Sequence, residues 1–231
     1  MLLLLLYKML TIYTHIMPSS SSTLYRTPKV LPAYLGTRIS VTSDGINLDK
    51  FAPDLAQQLH NFGLQTAALD TEIDGMKRGL IKRYGNDTIY VIYHAAGIAL
   101  RFTKLSDTTS TDLFELDSLE LYNADERYAA ASASILPFNG IANSTTAQEF
   151  IQAYGEPTQK GGGFSQSLDI WLRWDPFDSI STIISNDGSG SDGPNTMTST
   201  RQTGLEIQID NRSWDSASNS KWKSLTLYLT S

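Results

Sequence analysis

A Ser-Leu-x-Leu-Tyr pentapeptide occurs twice in this chain, at 118–122 and at 224–228. Upstream of each copy, a glycine introduces a segment in which apolar residues alternate with other residues, at 97–103 and at 204–210. A period of two with one apolar side is typical of a half-buried antiparallel strand. The repeat constrains the fold more than any other feature, because it predicts two similar sets of antiparallel strands.

Each set of strands is preceded by a segment with helical periodicity that ends in an aromatic residue followed by glycine. In the second, Thr146 and Glu149 match a capping box, in which two side chains satisfy backbone N–H groups at the start of a helix. Gly155 suits the position after a helix, where a left-handed residue is common. The first segment places Leu55 and Leu59 on one apolar face.

The order of helix and strands therefore occurs twice, and we predict an α+β protein. It would consist of two duplicated units, each a helix followed by an antiparallel β-meander. The predicted strands are 89–93, 97–103, 117–122, 169–174, 204–209 and 223–229. The predicted divisions are a leader and disordered arm over 1–45, a first unit over 46–134 and a second unit over 135–231.

Three further segments have less regular patterns. Residues Met76 to Tyr84 are interpreted as a second helix of the first unit. Residues 177–203 are interpreted as an insertion in the second unit, whose Gly/Ser/Asp-rich centre at 186–195 is predicted to be mobile. The polar residues 106–112 are predicted to form a hairpin loop between strands.

The first residues are apolar, with five consecutive leucines, but Lys8 interrupts them and the span is short for a membrane. We expect no membrane span and interpret 1–16 as a non-structural extension, with a signal or anchor left open.

The chain contains no cysteine, which excludes disulfides, cysteine nucleophiles and cysteine-ligated metals. An intracellular, soluble protein is the expectation.

The formal net charge of −6 disfavours nucleic acid as a partner, since its binding needs clustered Lys and Arg.

Gly188, Gly190 and Gly193 match a dinucleotide-binding spacing, but Pro194 follows where a helix is required. The three histidines, His15, His60 and His94, lack metal-binding or catalytic spacing. The acidic residues Asp112, Glu115 and Asp117 are interpreted as a solvated hairpin. We predict no catalytic residues, no cofactor and no metal.

Strand alternation also predicts what lies opposite the core. If the pentapeptide leucines face the helices, the other face carries Tyr122, Tyr228 and Arg101. Trp171 and Arg173 join them, because Ile170 and Leu172 would point inward. Tyr, Trp and Arg are enriched at protein–protein hot spots. These five residues are the candidate binding residues, although a second layer covering them is an equal alternative.

The pattern Leu-Pro-Phe at 136–138, Thr-x-x-Glu-Phe at 146–150 and Gly-Glu-Pro at 155–157, followed by aromatic, glycine-led and Leu-x-Leu strands, resembles known helix-plus-antiparallel-sheet modules. It is similar to the fold type of the β-lactamase-inhibitor protein and the outer-membrane assembly lipoprotein E. It also resembles an uncharacterised bacterial domain with immunity-like members. The resemblance covers about 47–231 and implies binding rather than catalysis.

The sequence thus favours a non-enzymatic binding or interaction protein that uses an open sheet face and has an unknown protein partner. Two alternatives stay open. One is a hydrolase-like enzyme with a site in the cleft between the units, and the other is a purely structural domain whose aromatic face is covered in an oligomer.

Overall fold

The computed structural model describes residues 31–42, 45–46, 48, 52–64, 79–105, 113–163, 168–185 and 196–230. Two α-helices lie in these ranges, α1 (Pro53–Asn61) and α2 (Ala147–Tyr154). Three single-turn 3-10 helices span Leu31–Tyr34, His94–Ala96 and Ala217–Asn219. None of the helices in this part of the chain is long and apolar enough to cross a membrane.

The described strands form a mostly antiparallel sheet that dominates the fold. They are β1 (Arg38–Thr42), β2 (Gly45–Ile46), β3 (Leu80–Tyr84), β4 (Thr88–Tyr93), β5 (Ile98–Lys104), β6 (Leu113–Tyr122), β7 (Gln159–Gly161), β8 (Ile170–Ser185), β9 (Thr196–Ile209) and β10 (Trp222–Leu229). The order across the sheet is β3-β4-β5-β6-β10-β9-β8-β7. All six predicted strands are confirmed, and several are longer than expected.

Regular structure is present within the segment that the sequence assigned to a leader and disordered arm. The arm predicted over 1–45 contains a 3-10 helix and β1, which pairs with β2 and with the first residues of β6. Arg38 lies opposite Glu115 in that pairing. The prediction of a disordered arm is therefore wrong for 31–42, because β1 occupies the edge of β6 beyond the end of β10. Residues 1–30 lie outside the described part of the chain.

Two other interpretations of the sequence need correction. Leu80–Tyr84 is β3 and not part of a helix, because it pairs with β4 over its whole length. The insertion predicted at 177–203 is largely a long hairpin, since β8 continues to Ser185 and β9 begins at Thr196. Its centre at 186–195 and the predicted loop at 106–112 lie outside the described residues.

Both segments with helical periodicity contain an α-helix. Pro53 occupies the first turn of α1, and the buried Leu55 and Leu59 form its inner face. At the start of α2, the Thr146 backbone N–H donates to Glu149 Oε2 (2.7 Å) and the Glu149 N–H donates to Thr146 Oγ1 (3.4 Å). This reciprocal bonding satisfies N–H groups that have no partner inside the helix.

One apolar cluster joins the helices to one face of the sheet. The four pentapeptide leucines, Leu119, Leu121, Leu225 and Leu227, are at most 1 % exposed, and they belong to the same cluster as Leu55 and Phe150 of the helices. Because alternate strand residues point to opposite sides, the residues between these leucines lie on the other side of the sheet. We call this side the outer face.

The sheet has the same strand order on either side of its centre. In each half, α-helix, short edge strand, aromatic strand, glycine-led strand and pentapeptide strand follow one another along the chain. The two pentapeptides pair with each other antiparallel, so that Glu120 lies opposite Thr226 and Leu121 opposite Leu225. The register also recurs: Ile98 pairs with Leu121 in one half, and Leu205 pairs with Leu227 in the other.

Candidate functional site on the outer face

The five candidate binding residues all lie on the outer face and are all partly exposed: Tyr122, Tyr228, Arg101, Trp171 and Arg173. They do not form one cluster. Arg101 and Tyr122 belong to the first half of the sheet, whereas the other three lie together in the second half.

In the first half, an aspartate holds Arg101 in place. Its Nε and Nη2 donate to the two carboxylate oxygens of Asp117, at 2.9 and 3.1 Å. The Thr103 hydroxyl donates to the same carboxylate at 2.7 Å. Burial by itself lowers the pKa of Arg101, but Asp117 and Tyr90 outweigh burial and raise it. The arginine is therefore a fixed, paired cation.

Tyr122 is less open than the sequence suggested. Its ring stacks on Tyr128 with centroids 3.7 Å apart and planes within 6°. Its hydroxyl donates to Glu120 at 2.7 Å, and burial together with this carboxylate raises the pKa of Tyr122 well above its ordinary value. Tyr128 comes from the segment that links the halves, which folds back so that the Ala131 N–H donates to the Tyr122 carbonyl. One side of the Tyr122 ring is thus covered.

A concavity of about 600 Å³ lies beside these two rings. We call it the tyrosine pocket, and it is lined by Tyr84, Thr88, Tyr90, Ile92, Arg101, Thr103, Asp117, Glu120, Tyr122, Arg127 and Tyr128. Alternation along β4 and β6 places Tyr90 and Glu120 on this face. Arg127 and Tyr128 were missed, because the linker carries no periodicity that would predict where it packs.

In the second half, Arg173 Nε donates to Glu206 on the neighbouring strand at 2.9 Å. The Arg173 guanidinium also lies 5.4 Å from the centre of the Trp171 ring, within cation–π range. Arg173 and Trp171 are therefore oriented by each other and by Glu206.

Tyr228 is also held in place, by the packing of its ring and by a hydrogen bond of its hydroxyl. Its ring lies against Gly204, where an added Cβ would come within 2.2 Å of the ring. Its hydroxyl donates to Asp175 at 3.1 Å, and burial followed by that carboxylate raises the pKa of Tyr228 to about 12. Glycine at position 204 thus provides the room that the ring needs.

A second concavity, of about 470 Å³, lies where the halves meet, and we call it the junction groove. Its central carboxylate is Asp169, which accepts from Arg212 at 2.9 Å and from Lys223 at 2.7 Å. Burial would raise the pKa of Asp169, but these two bonds outweigh it and hold that pKa below its usual value. Asp125 in the same groove is bound by Arg127. These carboxylates are thus occupied by basic side chains.

The residues with potential catalytic or metal chemistry are dispersed. His94 stacks on Tyr128, and its Nδ1 lies 3.1 Å from the Arg127 carbonyl. Glu115 is buried rather than solvated, and it pairs with Arg201 at 2.8 Å, which corrects the interpretation of a solvated acidic hairpin. Among the described residues, no group of three or more His, Asp or Glu side chains could hold a metal ion. His15, Asp112 and the glycine tract at 188–193 lie outside those residues.

Comparisons with protein-family models, with curated proteins and with solved structures find no match to this chain. The resemblance to the inhibitor-type modules therefore remains a prediction from sequence.

Proposed function

We propose that this protein is a non-enzymatic binding protein that contacts a protein partner through the outer face of its sheet. The observation that carries this proposal is the placement of the five aromatic and arginine candidates. All five lie on the side of the sheet opposite the apolar cluster that contains both helices, and all five remain partly exposed. Among the described residues, Tyr128 of the linker covers one side of the Tyr122 ring.

The state of these side chains supports binding. Tyr, Trp and Arg dominate interface hot spots because they bury large areas and combine apolar and polar contacts. Here each arginine is already fixed by a carboxylate, Arg101 by Asp117 and Arg173 by Glu206. Side chains that are ordered before binding lose less conformational entropy when a partner docks.

The proposal includes an internal duplication, in which the two halves descend from one helix-plus-meander unit. Three facts support it: the repeated pentapeptide, the repeated order of elements and the repeated strand register. Duplication would give the partner a wide surface built from two related halves. The matching positions of β5 and β9 carry different side chains, Arg101 opposite Tyr90 and Gln208 opposite Trp171.

The test is a capture experiment with three versions of the protein. Immobilised wild type, the double variant Tyr122→Ala with Tyr228→Ala, and the control Gln57→Ala are each exposed to extract from the native source. Gln57 is exposed on α1, which packs its other side into the core. We expect a partner that wild type and control retain and that the double variant binds more weakly by more than about 2 kcal/mol.

The proposal fails if a retained partner binds the double variant with unchanged affinity while the variant's circular dichroism matches that of wild type. Unfolding of the double variant would instead assign these rings to a buried layer. Single substitutions of Trp171 and Arg173 then keep the outer face testable, since both side chains are partly exposed at the end of the sheet away from Tyr122.

The enzyme alternative has one observation in its favour, namely that residues of both halves line the junction groove. Its carboxylate Asp169, however, accepts hydrogen bonds from Arg212 and Lys223, whereas a general base must be within reach of a substrate proton. Hydrolysis of ester and glycoside substrates that is lost in Asp169→Asn would favour this alternative.

A structural role in an oligomer would show as a stable dimer in sedimentation. We place the protein inside the cell, and fractionation of the native source tests this.

A further inference from the structure

We propose that the tyrosine pocket is a recognition site for an organic cation, namely the side chain of a lysine or arginine presented by the protein partner. This inference rests on the proposed binding function and adds the chemistry that the partner must bring. It is carried by the aromatic walls of the pocket together with Glu120, the lining carboxylate that no basic side chain of the described residues pairs.

The walls supply the aromatic part of a cation site. Tyr84 and Tyr90 pack edge to face, with ring centres 5.3 Å apart and planes at 79°. Tyr122 and Tyr128 also line the pocket and stack in parallel; because His94 stacks on Tyr128 as well, the face of this stack that no described ring covers belongs to Tyr122. The faces of aromatic rings carry negative potential, so that a cation within about 6 Å of a ring centre is attracted to it. Rings in two orientations can contact one cation from different sides.

The charged side chains of the pocket also favour a positively charged ligand. Both arginines in the pocket already have a carboxylate: Asp117 binds Arg101 through two bonds, and Asp125 binds Arg127 through two bonds of 3.0 Å. Within the described part of the chain, Glu120 has only the neutral Tyr122 hydroxyl as a hydrogen-bond partner. Its negative charge is therefore the one that a ligand can neutralise.

The surroundings of Glu120 show that its charge acts across the pocket. It is one of the groups that raise the pKa values of Tyr90, Tyr122 and Tyr128. Such a charge, beside apolar surface and partly shielded from water, attracts a cation more strongly than the same group in open solvent. The lining residue Ile92 offers apolar surface for the methylene stem of a long basic side chain.

The volume and position of the pocket favour a side chain of a partner as the source of the cation. A concavity of about 600 Å³ is wide and open enough to admit a side chain together with adjacent backbone. The pocket opens on the outer face, where the proposed partner docks. A protein with net charge −6 is also complementary to a basic partner.

The direct test is a titration with small probes, followed by amide chemical shifts in nitrogen-15 NMR spectra. N-acetyl-lysine methylamide and N-acetyl-arginine methylamide carry the cation. The norleucine and citrulline analogues have nearly the same shape and no charge. We expect the charged probes to shift pocket resonances with millimolar affinity, and the neutral analogues to bind at least tenfold more weakly. n-Butylammonium represents a free amine without a peptide backbone.

Two matched variants assign the effect to Glu120. Glu120→Gln removes the charge but keeps an oxygen that accepts from the Tyr122 hydroxyl, and we expect it to weaken lysine-probe binding at least tenfold. Glu126→Gln changes the net charge equally, but this exposed residue lines the junction groove instead. It should leave the affinity of the lysine probe within a factor of two of wild type.

The inference is overturned if the charged and neutral probes bind alike, or if Glu120→Gln and Glu126→Gln have equal effects. Binding of n-butylammonium with exclusion of both peptide-like probes overturns a side chain as the source. The capture experiment separates this failure from that of the proposed function. A partner lost from the double tyrosine variant but retained by Glu120→Gln leaves the outer face as the binding surface and removes the cation site.

Discussion

Replacing Leu121 with alanine tests which side of the sheet forms the core. Leu121 is fully buried, and its direct neighbours on the adjacent strands are Ile98 and Leu225, which are also fully buried. Loss of three methylene-sized groups removes about 2.4 kcal/mol of transfer free energy, at about 0.8 kcal/mol each. Strand backbones on both sides limit collapse into the cavity, so we expect a total loss of about 3–5 kcal/mol.

The same substitution in the second half should have a similar effect. Leu227 occupies the matching position, is 1 % exposed and lies between Leu119 and Leu205. The control is Thr226→Ala, one residue away on the outer face, which should change the free energy of unfolding by less than about 1 kcal/mol. Equal losses in the two leucine variants would show that the halves use equivalent core positions.

Urea unfolding, followed by both circular dichroism and tryptophan fluorescence, measures these losses. All four tryptophans lie between 171 and 222, in the second half of the chain. A fluorescence transition that moves in Leu121→Ala therefore reports that the halves unfold together, as expected for halves joined by the β6–β10 pairing. Losses below about 1 kcal/mol in both leucine variants would mean that the faces of the sheet are assigned the wrong way round.

Three further results are expected. Gly97→Ala should destabilise the protein by at least about 1 kcal/mol more than Gly85→Ala in urea unfolding, because both glycines have φ +63° but only a Cβ at 97 would clash, 2.1 Å from a carbonyl oxygen. Thr146→Ala should cost about 0.5–2 kcal/mol through loss of the α2 cap, and an equal stability would contradict the capping box. Asp169→Asn should lower the free energy of unfolding at pH 7. It should also reduce the amount by which that free energy falls at acid pH. The folded-state pKa of Asp169 lies below its unfolded value of about 3.9, so its contribution is present above that pH and disappears as pH falls through the folded value. Unfolding free energies measured from pH 2 to pH 7 check this result.

Features with a local period could be predicted from the sequence. Alternation identified six strands and the side to which Leu121 and Tyr122 point, because a strand's two faces follow directly from residue parity. The cap of α2 was equally readable, since Thr146 and Glu149 interact within one helical turn. In each case the interacting residues are close in sequence, so a short stretch of sequence is enough to predict the feature.

Leu80–Tyr84 forms a local hairpin with β4, although its composition also suits a helix. The other features that could not be predicted depend on distant partners. Residues 38–42 become a strand because β6 extends beyond β10 and leaves an edge open. The stacking of Tyr128 on Tyr122 depends on how the linker folds back through backbone bonds to Tyr122 and His94. Tertiary contacts determine the structure of these segments, and no local periodicity in the sequence indicates those contacts.

The centre of the sheet explains how two similar halves can differ in the side chains of their outer face. A peptide that pairs antiparallel with its own copy places its middle residue opposite the same residue, and directly opposite residues share a face. The leucines of both pentapeptides therefore point inward, and each tyrosine lies opposite the small serine of the other copy, Tyr122 opposite Ser224 and Tyr228 opposite Ser118. The middle position is the place where the copies differ, since Glu120 faces Thr226. The core and the tyrosines are thus common to both halves, whereas the carboxylate proposed to bind a cation belongs to the first half alone.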